Sequence, residues 1–122
     1  MEKIFNDIFT TEGRLNRFPY FKYLILLWLA SFVFGAVFSF AGAILTGTTD
    51  SMLTVIPTGV FSMCTSVGSI MIGIRRLHDL DKSGWFMLVI LIPFVNLIFA
   101  LYLLLASGTA GQNRYGADPL TY

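Results

Sequence analysis

The residues best suited to chemistry in this 122-residue chain lie in one short run, Arg75-Arg76-Leu77-His78-Asp79-Leu80-Asp81-Lys82-Ser83-Gly84-Trp85. His78 is the single histidine, the side chain whose ordinary pKa lies near neutrality. A carboxylate beside an imidazole orients it for general-base work or metal ligation, which makes Leu77-His78-Asp79 the place to look for either. The spacing argues against both. A zinc-binding helix presents two histidines one turn apart, and one His among scattered Asp makes a poor site. The lone Cys64 excludes an intramolecular disulfide and a multi-cysteine zinc centre. No catalytic residue, metal or cofactor is therefore assigned. A non-enzymatic chain is favoured over a membrane enzyme acting on a headgroup through His78 and Asp79.

Arginine supplies a different chemistry, since its planar fork binds phosphate bidentately. Arg14 and Arg17 stand before the first apolar segment, Arg75 and Arg76 after the second, and Arg114 in the tail. Together with His78 and Asp79 they form the candidate anion site, with anionic lipid headgroups as the expected partner. Pairing with Asp79, Asp81 or Glu12 would cancel part of that charge. A formal net charge of +1 gives no bulk basic field, and nucleic acid is not an expected partner.

The elements that must position these residues belong in a bilayer. The chain is 56% hydrophobic and 12% charged with a mean hydropathy of +0.75, whereas a soluble domain carries about 25% charge. Three windows lack Asp, Glu, Lys and Arg: Tyr23 to Thr49, Ser51 to Ile74 and Ser83 to Asn113. Roughly 20 apolar residues suffice for one crossing. Each window holds one span and none holds two. The expected architecture is a single all-α membrane domain over 1–122: an interfacial segment at 1–18, membrane helices at 20–45, 52–74 and 85–107, and a polar tail at 108–122. Ala41-Gly42-Ala43 resembles a signal cleavage site, but the apolar stretch is too long for a signal core, and the first helix is expected to be retained. Ile4, Phe5, Ile8 and Phe9 share one helical face, as expected for a short helix on the membrane surface.

Lysine and arginine set the orientation. Lys3, Arg14, Arg17 and Lys22 precede the first span, the first loop has none, Arg75, Arg76 and Lys82 lie in the second loop, and the tail holds Arg114. The N-terminus and second loop are thus expected in the cytoplasm. Three full spans put the tail outside. In the rival topology Pro93 and Asn96 break the third window into a re-entrant hairpin that returns the tail to the cytoplasm, tolerated only where protein or water covers the freed backbone. Three spans are preferred, because proline more often only kinks a membrane helix.

Between helices in lipid, association needs close backbone approach and polar contacts. Gly59, Ser62, Ser66, Ser69 and Gly73 recur on one face of the second helix, and Ser31, Gly35, Ser39 and Gly42 follow similar spacing on the first. These stripes are expected to pack the two helices together. The functional alternative is a transporter or channel subunit whose hydroxyls and Asn96 line a path between protomers. A chain this small gains by association, so a homo-oligomer or docking on a larger membrane complex is expected.

Three polar clusters punctuate the apolar windows in order: Gly13-Arg14-Leu15-Asn16-Arg17, the run from Arg75 to Trp85, and Gly111-Gln112-Asn113-Arg114-Tyr115-Gly116-Ala117-Asp118-Pro119. In that arrangement the chain resembles the domain-of-unknown-function 805 family of small bacterial inner-membrane proteins over roughly Gly13 to Pro119. RRLHD followed by SGW, and NRYG followed by DP, are the most specific parts. Where members commonly carry an aromatic pair after the second Arg of GRxxR, this chain has Phe18, Pro19, Tyr20 and Phe21, so its helix start departs from the pattern. The resemblance implies an integral inner-membrane protein, which the apolar windows make multi-pass. It brings no activity, cofactor or catalytic residue.

Overall fold

The computed structural model describes residues 1–120; Thr121 and Tyr122, the end of the expected polar tail, lie outside the described residues. The described chain is helical: α1 (Glu2–Ile8), α2 (Arg17–Thr46), α3 (Met52–Asp79), a 3₁₀ helix (Gly84–Leu91) and α4 (Val95–Leu105). The side chain of Asn16 caps α2 by accepting from the Arg17 amide at 2.8 Å, and Pro19 sits in the first turn, where its missing N–H is harmless. Gly47 ends the helix in the left-handed region at φ +76°.

α2 and α3 pack along most of their lengths and are long and apolar enough to cross a bilayer. Their most apolar windows are only 6% and 11% buried. Trp28, Phe32, Phe40, Met63 and their neighbours face outward. A soluble protein would bury helices of this kind; an apolar surface so extensive needs hydrocarbon around it. The small core (Ile8, Leu15, Tyr20, Tyr23, Leu27, Ile72, Leu77, Met87 and Leu103) gathers toward the Arg17 end of α2 and the Asp79 end of α3.

The α2–α3 contact includes Ser31 and Gly42 of the stripe expected on α2, but on α3 it lies about one residue round the helix from the expected stripe. Thr54 Oγ1 donates to the Phe38 carbonyl at 3.3 Å, Phe34 stacks on Phe61, Ser31 donates to Thr65 at 3.0 Å, and Gly68 meets Leu27 and Ile8. Gly59, Ser62 and Ser66 remain outside this seam, and a Cβ on Gly35 or Gly59 would meet nothing. Ser69 is half-buried, and Gly73 is buried against Met87 of the 3₁₀ helix rather than against α2. Thr54, Phe61, Thr65, Gly68 and Ile72 follow the same 3–4 spacing, and a stripe of small residues alone does not say which of two adjacent faces meets the partner.

α1 docks on α3 with Ile8 buried and Phe9 half-buried, while Ile4 and Phe5 of the same expected face stay exposed. Tyr23 donates to Asp7 at 3.0 Å, and Arg75 donates to the Asp7 carbonyl.

The third window departs most from expectation. Residues 85–107 are not one helix. Pro93 pushes Ile92 into extended backbone, φ −88° and ψ 116°. Phe94 then adopts φ +65° and ψ −45° while the Val95 amide donates to the Pro93 carbonyl at 2.8 Å, a γ-turn of the rare positive-φ kind. The chain doubles back. Gly84 lies against Ile74 and Met87 against Gly73, while the Leu103 and Ala106 carbonyls accept from Arg76. Both ends of the segment therefore sit at the same end of α3. Eight residues of 3₁₀ helix at about 2.0 Å each and eleven of α-helix at about 1.5 Å each give arms of roughly 16 Å, half a hydrocarbon thickness of about 30 Å.

Phe94 is 83% exposed, so its ring contributes little packing while its backbone is strained. Phe94→Gly is expected to stabilise the fold by about 1 kcal/mol. The check is the midpoint of unfolding in detergent, which should rise and would fall if the ring itself held the turn.

Candidate functional site

At the end of α3 the three polar clusters become one buried knot. Asp79, 2% exposed, is its centre. Its Oδ1 accepts from Arg14 Nε at 3.0 Å and lies 3.0 Å from Nη2 as an ion pair, and its Oδ2 accepts from Arg76 Nη1 at 2.7 Å. The rest of both guanidiniums is spent on backbone carbonyls. Arg76 Nε donates to Leu103 at 2.7 Å and Nη2 to Ala106; Arg14 Nη1 donates to Gly111 and Gly116, and Nη2 to Thr109. A buried charge needs a partner and a full set of hydrogen bonds, and here each guanidinium nitrogen has at least one.

The surrounding backbone closes the knot. The Leu15 amide donates to the Arg75 carbonyl at 3.1 Å and the Thr109 amide to the Asp79 carbonyl at 2.7 Å. Asn113 donates to the His78 carbonyl at 2.9 Å and pairs with Gly116 in an isolated β-bridge. Gly111 and Gly116, at φ +73° and +132°, turn the tail so that their carbonyls face Arg14. Asp118 is little exposed; it accepts from the Gly111 amide at 2.9 Å and the Leu120 amide at 3.0 Å and interacts electrostatically with Arg14. Two cations thus face two carboxylates. Gly108 packs so closely that a Cβ there would lie 2.0 Å from Asp79 Oδ2.

The candidate anion site is accordingly divided. Arg14, Arg76 and Asp79 are consumed inside the fold and offer no free fork to phosphate. Arg75 is half-buried; its Nη1 donates to the Asp7 carbonyl and its Nε is buried without a hydrogen-bond partner. Arg17 is exposed on α2, as are Lys22 and Lys82 on their own segments. Arg114 is exposed and paired with Asp81, 3.1 Å from Nε to Oδ1. The tail lies against RRLHD, where three full spans would have put it on the opposite side. Sequence reasoning missed Leu103, Ala106, Thr109 and Gly108, which contribute carbonyls or space rather than side-chain chemistry and leave no mark in a motif.

His78 keeps its imidazole outside the knot. Nδ1 lies 3.2 Å from the Gly13 carbonyl and is the protonated nitrogen, since a carbonyl only accepts. The ring stacks on Tyr115 with centroids 4.0 Å apart and planes 4° from parallel. Asp79 faces the arginines rather than this imidazole, so no carboxylate–imidazole pair forms. Among the described residues, no group of three or more His, Cys, Asp and Glu is placed to hold a metal.

The knot accounts for GRxxR, RRLHD and NRYG together, and the family model for "Protein of unknown function (DUF805)" matches residues 8–117. The chain belongs to the DUF805 family. It is 30% identical over 117 residues to inner membrane protein YhaH of Escherichia coli (strain K12), covering 96% of this chain and 93% of that one. It is 38% identical over 60 residues to inner membrane protein YhaI of the same organism, about half of each chain. No solved structure matches. For a DUF805 member the knot gives the three motifs a physical role: they tie the N-terminal arm and the tail to the end of α3.

Two outcomes follow from the knot. Asp79→Ala removes the carboxylate that both buried guanidiniums bond, leaving Asp118 as the remaining counter-charge near Arg14, and should cost about 3–5 kcal/mol; Gly108→Ala should also destabilise, because the clamped carboxylate cannot give way. The double variant should lose less than the sum of the singles, since removing the carboxylate makes room for the new methyl. A double-mutant cycle on unfolding in detergent measures this, and strict additivity would mean that the two groups do not touch.

Asp118 supplies the second. Hydrogen bonds from Leu120 and then Gly111 hold its carboxyl below the ordinary value of 3.8. A depressed folded pKa contributes stability above the unfolded value and loses it as pH falls through the folded one. The Gly111 and Leu120 amide resonances should therefore shift together with a midpoint below pH 3.8, and Asp118→Asn should abolish the transition.

Proposed function

We propose that this chain is a non-enzymatic inner-membrane protein, an accessory or oligomerising subunit with α2 and α3 as full spans and the segment 84–105 as a re-entrant hairpin. Its N-terminus, second loop and tail share the cytoplasmic side. One observation carries the reading: the residues with the richest chemistry, Arg14, Arg76 and Asp79, bond one another and the tail backbone instead of facing a substrate. What remains outward is an apolar belt with a cationic rim of Arg17, Lys22 and Lys82 at the knotted end. Such a rim is attracted to anionic headgroups, each cation near the surface contributing about 1 kcal/mol.

The exposed small residues Gly59, Ser62 and Ser66 leave room for a further helix to approach α3 closely, which supports association with a second copy or a larger complex. Their hydroxyls favour packing over a solute path: Ser66 donates to the Ser62 carbonyl at 2.8 Å and Ser69 to Thr65 at 2.9 Å within the same helix.

The side of the tail tests this reading. Ala110 is exposed next to the knot, so Ala110→Cys in a Cys64→Ser background reports it by maleimide labelling. Labelling only after the inner membrane is permeabilised is expected. Labelling from the periplasmic side of an intact inner membrane would overturn the hairpin topology and the shared cytoplasmic face.

A further inference from the structure

Beside the knot lies a cleft of about 400 Å³ lined by Thr11, Ile74, His78, Ser83, Gly84, Trp85 and Tyr115. Every polar segment contributes: the N-terminal arm gives Thr11, the last turns of α3 give Ile74 and His78, the loop into the hairpin gives Ser83 to Trp85, and the tail gives Tyr115. It opens where the polar knot meets the exposed apolar surface of the 3₁₀ helix, with Leu88 and Leu91 facing outward just beyond Trp85.

The lining has a distinct chemistry. Among the described residues it holds no carboxylate and no Lys or Arg, but it does hold an imidazole, a phenol ring, an indole and the hydroxyls of Thr11 and Ser83. Gly13 fixes Nδ1 of His78 as the donor, so in the neutral ring Nε2 is an acceptor, and no group among the described residues bonds it. Among the described residues the Thr11 hydroxyl and the Trp85 indole N–H likewise have no partner, and Ser83 Oγ accepts from the Trp85 amide at 3.4 Å. Unpaired hydroxyls, one acceptor nitrogen and flat aromatic faces suit an uncharged, hydroxyl-bearing group. Lys82 is exposed and precedes Ser83 of the lining directly in the chain, a cation available to a phosphate bound beside Ser83.

We infer that this cleft is a lipid site for a phosphoglycerol headgroup, with the glycerol hydroxyls among His78, Thr11 and Ser83, the phosphate toward Lys82 and the acyl chains along Leu88 and Leu91. The lipid source is favoured over a soluble glycerol phosphate because the opening borders the apolar belt. The inference rests on the cytoplasmic headgroup contact proposed above and moves its specificity from the arginines to His78.

The test uses the full chain in neutral detergent. The chain has two tryptophans, Trp28 and Trp85, so Trp28→Phe makes Trp85 fluorescence a reporter of the cleft. Short-chain phosphatidylglycerol is expected to shift the emission saturably, with phosphatidylserine and phosphatidylcholine of the same chain length much weaker. His78→Asn keeps a donor for the Gly13 carbonyl but removes the Nε2 acceptor and should weaken phosphatidylglycerol binding about fivefold, the equivalent of one hydrogen bond. Thr11→Val removes a hydroxyl that makes no internal bond and should weaken it in the same direction, which keeps the test valid if His78→Asn fails to fold.

Equal binding of phosphatidylglycerol and phosphatidylserine, unaffected by Thr11→Val, would overturn the cleft while sparing the cationic rim. No preference for either anionic lipid over phosphatidylcholine would overturn both. Glycerol phosphate binding as tightly as the short-chain lipid would overturn the lipid assignment.

Discussion

The architecture depends on one carboxylate held between two guanidiniums. Asp79 is the last residue of α3, and through Arg14 it fixes the arm that leads into α2, while through Arg76 it fixes the return of α4. A buried triad of this kind is weak evidence for stability in itself, because desolvation consumes much of the Coulombic gain. Its value is in specifying geometry. A carboxylate with two oxygens and guanidiniums with planar forks accept few arrangements, and the arrangement they accept here draws residues 13–17, 76–79 and 103–118 to one place. The apolar helices supply no such information, since hydrocarbon solvates leucine as well as another helix does.

The hairpin illustrates the division of labour. Pro93 and the γ-turn at Phe94 break the segment locally, but a break alone yields a kink as readily as a reversal. What decides for reversal is at the other end, where the Leu103 and Ala106 carbonyls lie within reach of Arg76 and Gly108 leaves Asp79 the space it needs. These are the last carbonyls of α4, which have no partner within the helix. The guanidinium therefore closes the helix terminus and neutralises the carboxylate at once. A strained turn persists where the surrounding structure over-determines it.

Composition and charge were enough to read the helical class and two of the long helices, because those depend on hydrophobicity summed over many residues. The clustering of GRxxR, RRLHD and NRYG was legible as motif, and their convergence was not. It turned on whether residues 85–107 run straight, a question that the proline leaves open and that the carbonyls of α4 answer without any side-chain signature. The expected anion site failed at Arg14 and Arg76 for a related reason: a sequence shows a guanidinium but not the backbone oxygens that occupy it. On α2 the small residues Ser31 and Gly42 of the expected stripe do meet α3, whereas on α3 the seam lies one residue round from the expected stripe, since small side chains mark where a helix can approach closely and two neighbouring faces of α3 both qualify.

A motif that does structural work changes where function should be sought. Once Arg14, Asp79 and Arg76 are engaged with one another, the imidazole of His78 is a polar group of RRLHD that remains outside the knot, and the knot itself determines how it is presented. Gly13 follows directly before Arg14 and anchors Nδ1; Tyr115 lies between Asn113 and Gly116 of the tail bridge and stacks on the ring. The knot thus holds from both sides an imidazole that bonds none of the buried charges. A rigid polar interior that sets the tautomer and orientation of one outward ring is the arrangement a binding site requires of its supporting residues. It also explains how a chain with so small an enclosed core can present a defined cleft: its buried residues gather toward the end where the charges are, and the cleft is built on that end.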